Sequence, residues 1–381
     1  MHRPKGVLMP PLVIDVRNAE DPRDVVHRAV QALSEGKIVA FPTETVYGFG
    51  ARALDAAAVQ RLLEVKGRAD GNPFALAIRG AQEFLDYAPD ASPLGERLAR
   101  RCWPGPVTLV VDASHRDSVV TRLPESVRRV VSPEKTVGLR VPGHAMVLDV
   151  LRMIAGPVAL TSANRSGEPD AITAQEIVGS LGNEIDLILD DGPCRYGQPS
   201  SVVRVNGDKY EILREGAVPE PTLRRLAGTM VLFVCTGNTC RSPMAEGLFR
   251  KMAAARLGCG PEALEEHGWA VMSAGVAAMT GGRASESAAA VMSRMGIDVR
   301  AHEAQPVTEA LVRYADHIFT MTASHRQALV MQWPDAAERT TTLCLDGSDV
   351  SDPIGGPLEQ YQQCAEQIQR ELVSRLNRLG L

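Results

Sequence analysis

Val231-Leu232-Phe233-Val234-Cys235-Thr236-Gly237-Asn238-Thr239-Cys240-Arg241-Ser242-Pro243 decides how the second half of the chain is read. A short apolar run ends abruptly in a cysteine. A small polar loop with one glycine follows, and Ser242-Pro243 then opens an Ala/Glu/Leu-rich segment. The reading is strand, loop, helix, with Pro243 suited to a first helical turn, where its missing N–H costs nothing. Such a loop turns its backbone N–H groups inward while the helix N-terminus points at the same place, which makes an anion site. A cysteine held in that cradle is a nucleophile. Arg241 adds a planar fork of donors that fits phosphoryl oxygens. The combination describes a cysteine phosphatase.

Working outward, helices are expected at 243–257, 284–295, 308–314 and 358–379, and strands at 271–275 and 317–321. This β-α-β-α-β-α order predicts a doubly wound parallel sheet with its site at the carboxyl ends of the strands. Ser351-Asp352-Pro353 reads on its own as a turn, although an Asp on a loop is able to protonate a leaving group. His302, His317 and His325 read as structural, because nothing in the sequence links them to the loop.

The 235–242 stretch resembles the low-molecular-weight protein tyrosine phosphatases, whose loop is C-x5-R-S. Thr236 and Thr239 look like the protein arginine phosphatase branch. The resemblance implies that Cys235 attacks phosphorus and that Arg241 and the loop amides hold the oxygens. It further implies that Asn238 props the loop, Ser242 donates to the sulfur, Asp352 is the general acid and Thr239 discriminates substrate. Ile354-Gly355-Gly356 lacks an aromatic platform, so with Thr239 it favours a polar substrate such as phosphoarginine over phosphotyrosine. Cys240 is placed to form a reversible disulfide with Cys235 under oxidation.

With 381 residues the chain is too long for one ordinary core, so two domains are expected. A net charge of −5 gives no bulk argument for nucleic-acid binding. No apolar run reaches the roughly 20 residues of a membrane span, and the opening residues lack the apolar core of a signal peptide. Seven scattered cysteines, an odd number, suggest a reducing cytoplasm. No Cys/His cluster has zinc spacing, so no metal ligands are assigned.

In the first half, residues 1–14 read as a loosely packed lead and 22–35 as a helix ended by Gly36. Residues 37–41 form a buried strand, and Pro42 to Ala51 pack hydroxyls and glycines into a turn. Gly48-Phe49-Gly50-Ala51-Arg52-Ala53 fits a dinucleotide pattern only superficially, since its glycines do not open a helix. A helix at 56–66 and strands at 74–78, 107–111, 136–142, 158–160 and 202–205 follow. Strand after strand ends in Thr, Ser, Asn, Lys or Arg. A mixed α/β sheet with a cationic, hydroxyl-lined cavity would take a nucleotide and a small polar substrate, without a Walker A loop.

Residues 24–216 resemble the Sua5/YrdC/YwlC family, the threonylcarbamoyl-AMP synthases. The resemblance rests on Phe41-Pro-Thr-Glu-Thr-Val-Tyr-Gly48, Lys66-Gly-Arg68, Asn72-Pro73, Trp103-Pro-Gly-Pro-Val-Thr108, Arg140-Val-Pro142, Ser162-Ala-Asn164 and Pro199-Ser-Ser-Val202. It implies a twisted mixed sheet that joins L-threonine, bicarbonate and ATP into threonylcarbamoyl-adenylate for the N6-threonylcarbamoyladenosine modification of tRNA. Arg68, Asn72, Thr136, Ser162, Ser200 and Arg214 would hold ATP, and Thr45 and Arg140 the threonine. Lys66, grouped with Arg68, Ser162 and Asn164, would neutralise charge beside Mg²⁺. Contact with tRNA, other double-stranded RNA or tRNA-modifying proteins is implied as well. Ala77 and Asp170 depart from the family pattern, where His and Ser are frequent. The expected organisation is a YrdC-like domain at 15–216, a linker at 217–229 and a phosphatase-like domain at 230–381. The alternative is that one half is a non-catalytic binding module.

Overall fold

A computed structural model describes residues 10–67 and 73–381. Its contacts divide the chain into two units, Met1–Leu226 and Ala227–Leu381. Arg68 and Asn72, assigned to ATP above, lie outside the described residues.

The strands of the first unit are β1 (Leu12–Asp15), β2 (Val39–Phe41), β3 (Gly48–Arg52), β4 (Ala75–Ala77), β5 (Val107–Asp112), β6 (Thr136–Arg140), β7 (Val158–Ser162), β8 (Leu187–Asp190), β9 (Ser201–Asn206) and β10 (Lys209–Arg214). They form one mixed sheet in the order β1-β8-β2-β3-β7-β4-β6-β5-β9-β10. Asp21 caps helix Pro22–Ser34 by accepting the Arg23 N–H. That helix buries Val25, Ala29 and Leu33 in one cluster with Val39 and Phe41 of β2 and with Val147 and Val150 of helix Ala145–Met153. The helical spacing of its apolar residues and the continuous apolar run of β2 are thus two sides of one core.

Three expectations need correcting here. Gly48–Arg52 is not part of a turn but strand β3, paired antiparallel with β2 and β7. Its glycines fit a close approach: a Cβ on Gly50 would lie 2.8 Å from Phe41 Cε2 and 2.9 Å from Val158 Cγ1. Glycine reads locally as a turn signal, and only the neighbouring strands reveal the packing reason. Residues 12–14, expected in a loose lead, belong to β1, which pairs in parallel with β8 at the sheet edge. Residues 220–227, inside the expected linker, form helix Glu220–Ala227.

The second unit holds β11 (Thr229–Cys235), β12 (Trp269–Gly275), β13 (His317–Thr320) and β14 (Thr340–Thr342), all parallel, in the order β12-β11-β13-β14. β14 was not expected, being only three residues long. In β11, Val231 and Phe233 pack with Leu248 of helix Arg241–Leu257 and Leu372 of helix Leu358–Arg378. Leu232 and Val234 face the other layer with Val312 and Leu329. Both faces are covered, which is why β11 reads as an unbroken apolar run. Among the described residues, no helix is long and apolar enough to cross a membrane.

Candidate functional site

In the first unit β3, β4, β5, β6, β7, β9 and β10 all line a cavity of about 500 Å³, within the range of small-ligand sites. Side chains alternate along a strand, so Thr136, Gly138 and Arg140 of β6 share the face that lines it. Ser162, Ser200 and Arg214 line it too. Arg214 Nη2 donates to the Ser200 carbonyl at 2.8 Å and reaches its hydroxyl at 3.3 Å. Ser200 Oγ lies 3.0 Å from Thr108 Oγ1. Burial lowers the Arg214 pKa, and the charge of Asp170 opposes that shift.

Lys66 ends helix Ala56–Lys66 as a buried cation. Its Nζ donates to the Ser162 carbonyl at 2.8 Å, to Ser162 Oγ at 3.1 Å and to Asn164 Oδ1. Lys66 is therefore joined to Ser162 and Asn164, almost a hundred positions away. Asn164 is fixed in turn by donating to the Glu168 carbonyl.

Arg140 is buried at the end of β6, and its Nη2 donates to Glu44 Oε1 and Thr45 Oγ1, each at 2.8 Å. The other Glu44 oxygen accepts the Gly143 N–H at 2.8 Å. Thr43 Oγ1 donates to the Val46 carbonyl and accepts the Thr45 N–H. With its single proton so used, the Thr45 hydroxyl, 2.8 Å away, must be the donor between the two threonines. Thr45 is fully buried and meets the cavity through Arg140, whereas Thr43 lines it directly. Glu44 and Thr43 were not singled out from the sequence. Their only signal was a place inside the Phe41–Gly48 motif.

In the second unit the loop after β11 is built around Asn238, a fully buried residue with φ 55°. Its N–H points at Cys235 Sγ, 3.2 Å away. Its side-chain amide donates to Ser242 Oγ and Ser273 Oγ, each at 2.9 Å, and accepts the Gln305 N–H at 3.0 Å. Ser242 therefore keeps its own proton, and Cys235 Sγ lies 2.9 Å from its oxygen. Ser273 passes the chain on to Glu246 at 2.7 Å, and Glu246 pairs with Arg250. Gly275 lets the loop sit against β12, because a Cβ there would lie 2.4 Å from the Thr236 carbonyl oxygen.

Arg241 is buried and ion-paired with the part-exposed Asp352, bringing the two segments together. Thr239 holds the neighbouring segment through its carbonyl, which accepts the Ser285 N–H at 2.8 Å. Cys240 Sγ contacts Ser285 Oγ at 3.3 Å and the Tyr361 hydroxyl at 3.7 Å. Two of the histidines read as structural do touch the loop. His302 Nε2 lies 2.8 Å from the Asn238 carbonyl oxygen, and His325 Nε2 lies 2.8 Å from Thr236 Oγ1. Burial, with the Arg241 charge adding to it, lowers the His325 pKa below 6.5. His317 instead stacks on Phe319. Burial pushes the Cys364 thiol up to about 12, which makes it an inert core thiol. Sequence reasoning missed Ser273, Gln305, Glu246 and Ser285, which reach the loop from separate segments and carry no local motif.

Comparison with known proteins follows the same division. The Sua5/YciO/YrdC model, described as telomere recombination, matches residues 31–216. The model for low molecular weight phosphotyrosine protein phosphatase matches residues 230–380. A threonylcarbamoyl-AMP synthase of Pyrococcus abyssi is 37% identical over 197 residues, 51% of this chain and 55% of that protein. The chain thus spans about half the length of that relative. A putative threonylcarbamoyl-AMP synthase of Mycobacterium tuberculosis is 34% identical over 201 residues, 52% of this chain and 88% of that protein. Among solved structures, a low molecular weight protein tyrosine phosphatase from T. tengcongensis is 38% identical, covering 39% of this chain and 99% of that one, with a TM-score of 0.36. The YwlE arginine phosphatase from Geobacillus stearothermophilus is 33% identical, covering 40% of this chain and 93% of that one, with a TM-score of 0.35.

Proposed function

The chain belongs to the Sua5/YrdC family and carries a low-molecular-weight phosphatase domain after it, and on that premise we propose a bifunctional enzyme. The first unit joins L-threonine, bicarbonate and ATP into threonylcarbamoyl-AMP and pyrophosphate for tRNA modification. The observation that carries this is the convergence of Lys66, Ser162 and Asn164 beside a cavity whose other end holds Arg140. Arg140 takes the threonine carboxylate, with Thr45 and Glu44 orienting its guanidinium. Thr136, Ser200 and Arg214, with Arg68 and Asn72, hold the nucleotide. The carbamate oxygen attacks the α-phosphorus and the bond to pyrophosphate breaks. Such a step needs positioning and charge neutralisation more than proton transfer, and Lys66 supplies the charge. Ser162 Oγ and Asn164 Oδ1 are oxygen donors of the kind Mg²⁺ accepts beside phosphate oxygens and water. The ion would add to the neutralisation by Lys66. The product's use implies contact with tRNA or tRNA-modifying proteins.

The second unit hydrolyses phosphoryl groups on proteins, and the carrying observation is Cys235 Sγ facing both Ser242 Oγ and the Asn238 N–H in the loop that holds Arg241. The sulfur attacks phosphorus, the bond to the leaving atom breaks, and Asp352 gives that atom a proton. Water then attacks the phosphorus of the cysteinyl-phosphate, Asp352 takes its proton, and the S–P bond breaks to release phosphate and the Cys235 thiolate. The Arg241–Asp352 ion pair is the resting arrangement. A phosphoryl group that occupies the Arg241 fork frees the Asp352 carboxylate, which takes up a proton from solvent and then acts as the acid. Thr239 and the 72% exposed Ile354, in place of an aromatic platform, favour phosphoarginine. Seven free cysteines fit a reducing cytoplasm.

The test is paired kinetics of the wild type and Cys235→Ser on phosphoarginine and phosphotyrosine peptides. A phosphoarginine preference abolished by Cys235→Ser supports the reading. A phosphotyrosine preference would show that Thr239 and Ile354 were over-read, and no activity on either would leave this unit a binding module.

A further inference from the structure

At the Thr136 end of the first unit's cavity, Glu134 has no part in the roles above. Arg140 and Thr136 close the two ends of β6, about 13 Å apart at the usual rise of a strand. Threonine held at Arg140 therefore leaves the Thr136 end to the nucleoside. The wall there comes from Glu134 and Pro133 in the turn before β6 and, level with Gly138, from Val110 of β5 and Arg204 of β9. Arg204 stands beside Val110 across the β5–β9 ladder, and Val110 is opposite Gly138. Gly138 leaves the floor without a side chain at this level. A flat floor with aliphatic walls suits a planar ring.

The charges at this end do not suit a phosphate chain. Among the described residues, Glu134 is the acidic side chain lining a cavity otherwise charged by Arg140, Arg204 and Arg214. Among the described residues it makes no hydrogen bond or ion pair. Its turn is pinned on both sides: Lys135 N–H donates to the Ser132 carbonyl at 3.2 Å, and the Lys135 carbonyl accepts the Ala113 N–H at 2.8 Å. A carboxylate beside a bound triphosphate would only repel it, so the ligand part facing Glu134 must be an uncharged hydrogen-bond donor. Adenine offers a donor at its exocyclic amine and an acceptor at the adjacent ring nitrogen. Glu134 accepts from the amine, while Arg204, which also lines the cavity, is paired with Glu211 at 3.5 Å. Hypoxanthine and guanine reverse both groups, placing a carbonyl oxygen against the carboxylate.

We propose that Glu134 reads the amine edge of adenine and selects ATP over purine triphosphates that carry a carbonyl there. The assignment rests on the synthase reading of this unit. In the full-length chain, kcat/KM for threonine-dependent pyrophosphate release is measured with ATP, ITP and 2′-deoxy-ATP. The wild type, Glu134→Ala and Glu134→Gln are compared. Wild type prefers ATP to ITP. In Glu134→Ala that preference falls by roughly tenfold or more, through KM for ATP, while KM for threonine is unchanged. In Glu134→Gln, whose amide is able to donate to a carbonyl, use of ITP rises. An ATP/ITP ratio unchanged in both variants overturns the assignment. So does a change confined to the ATP/2′-deoxy-ATP ratio, which would place Glu134 on the ribose. A wild type that releases no pyrophosphate with threonine and ATP overturns the synthase reading, and this assignment with it.

Discussion

Asn238→Ala is the substitution whose effect follows most directly from the structure. The side chain is fully buried and joins three segments through two donors and one acceptor, to Ser242, Ser273 and Gln305. At about 1 kcal/mol for each net hydrogen bond the loss is about 3 kcal/mol. The residue also sits at φ 55°, a left-handed conformation that Asn tolerates and Ala resists by roughly 1 kcal/mol. A total of about 4 kcal/mol, if borne wholly by the loop in the transition state, lowers phosphatase kcat/KM by roughly a thousandfold. Some of that cost falls on folding instead, so a loss of a hundredfold or more is expected. The assay is hydrolysis of an aryl phosphate by the full-length chain. Threonine-dependent pyrophosphate release, measured on the same preparation, is expected to be unchanged. A phosphatase kcat/KM within threefold of wild type would refute the idea that Asn238 holds the loop in its working shape.

Two further outcomes are expected. Glu44→Gln removes one of two acceptors: a single amide oxygen cannot serve both Arg140 Nη2 and the Gly143 N–H, so one buried donor faces an NH2 group. The cost is about 2 kcal/mol. The calorimetric transition that ATP and threonine raise should therefore fall by roughly 4–8 °C, and an unchanged transition would argue against a fixed Glu44 bridge. His325 is held below its ordinary pKa of 6.5 by burial and by Arg241, with Asp349 and Asp352 opposing. Below pH 6.5 the unfolded chain takes up a proton that the folded chain refuses. Stability of the second unit, present above that pH, is therefore lost as pH falls. His325→Asn should flatten the slope of its melting temperature between about pH 7.5 and about pH 5.5. An equal slope in both proteins would dismiss His325 as the titrating group.

How much was legible depends on how local each feature is. Cys235 to Ser242 lie in one loop with an apolar strand before it and a helix after it, so the order of types sufficed. Lys66 and Ser162 were named together only through resemblance, because the contact between them spans almost a hundred positions. The props of the phosphatase loop are a serine on β12, an amide after a turn and two histidines, types that occur everywhere and acquire meaning only when strand ends converge. β3 was misread because its glycines make room for Phe41 and Val158, a constraint carried by other strands. Arg140 was assigned to threonine, but Glu44 was not named as its partner. Asp352 was assigned the acid role, while its resting ion pair with Arg241 follows from distance alone.

The most direct test of two separate activities in one chain is a crossed comparison of Lys66→Met and Cys235→Ser. Threonine-dependent pyrophosphate release from ATP and phosphopeptide hydrolysis are measured on both. The account predicts that Lys66→Met loses the first and keeps the second, and that Cys235→Ser does the reverse. A Cys235→Ser chain that still releases phosphate from phosphopeptides, or a Lys66→Met chain that still makes pyrophosphate at the wild-type rate, would contradict it.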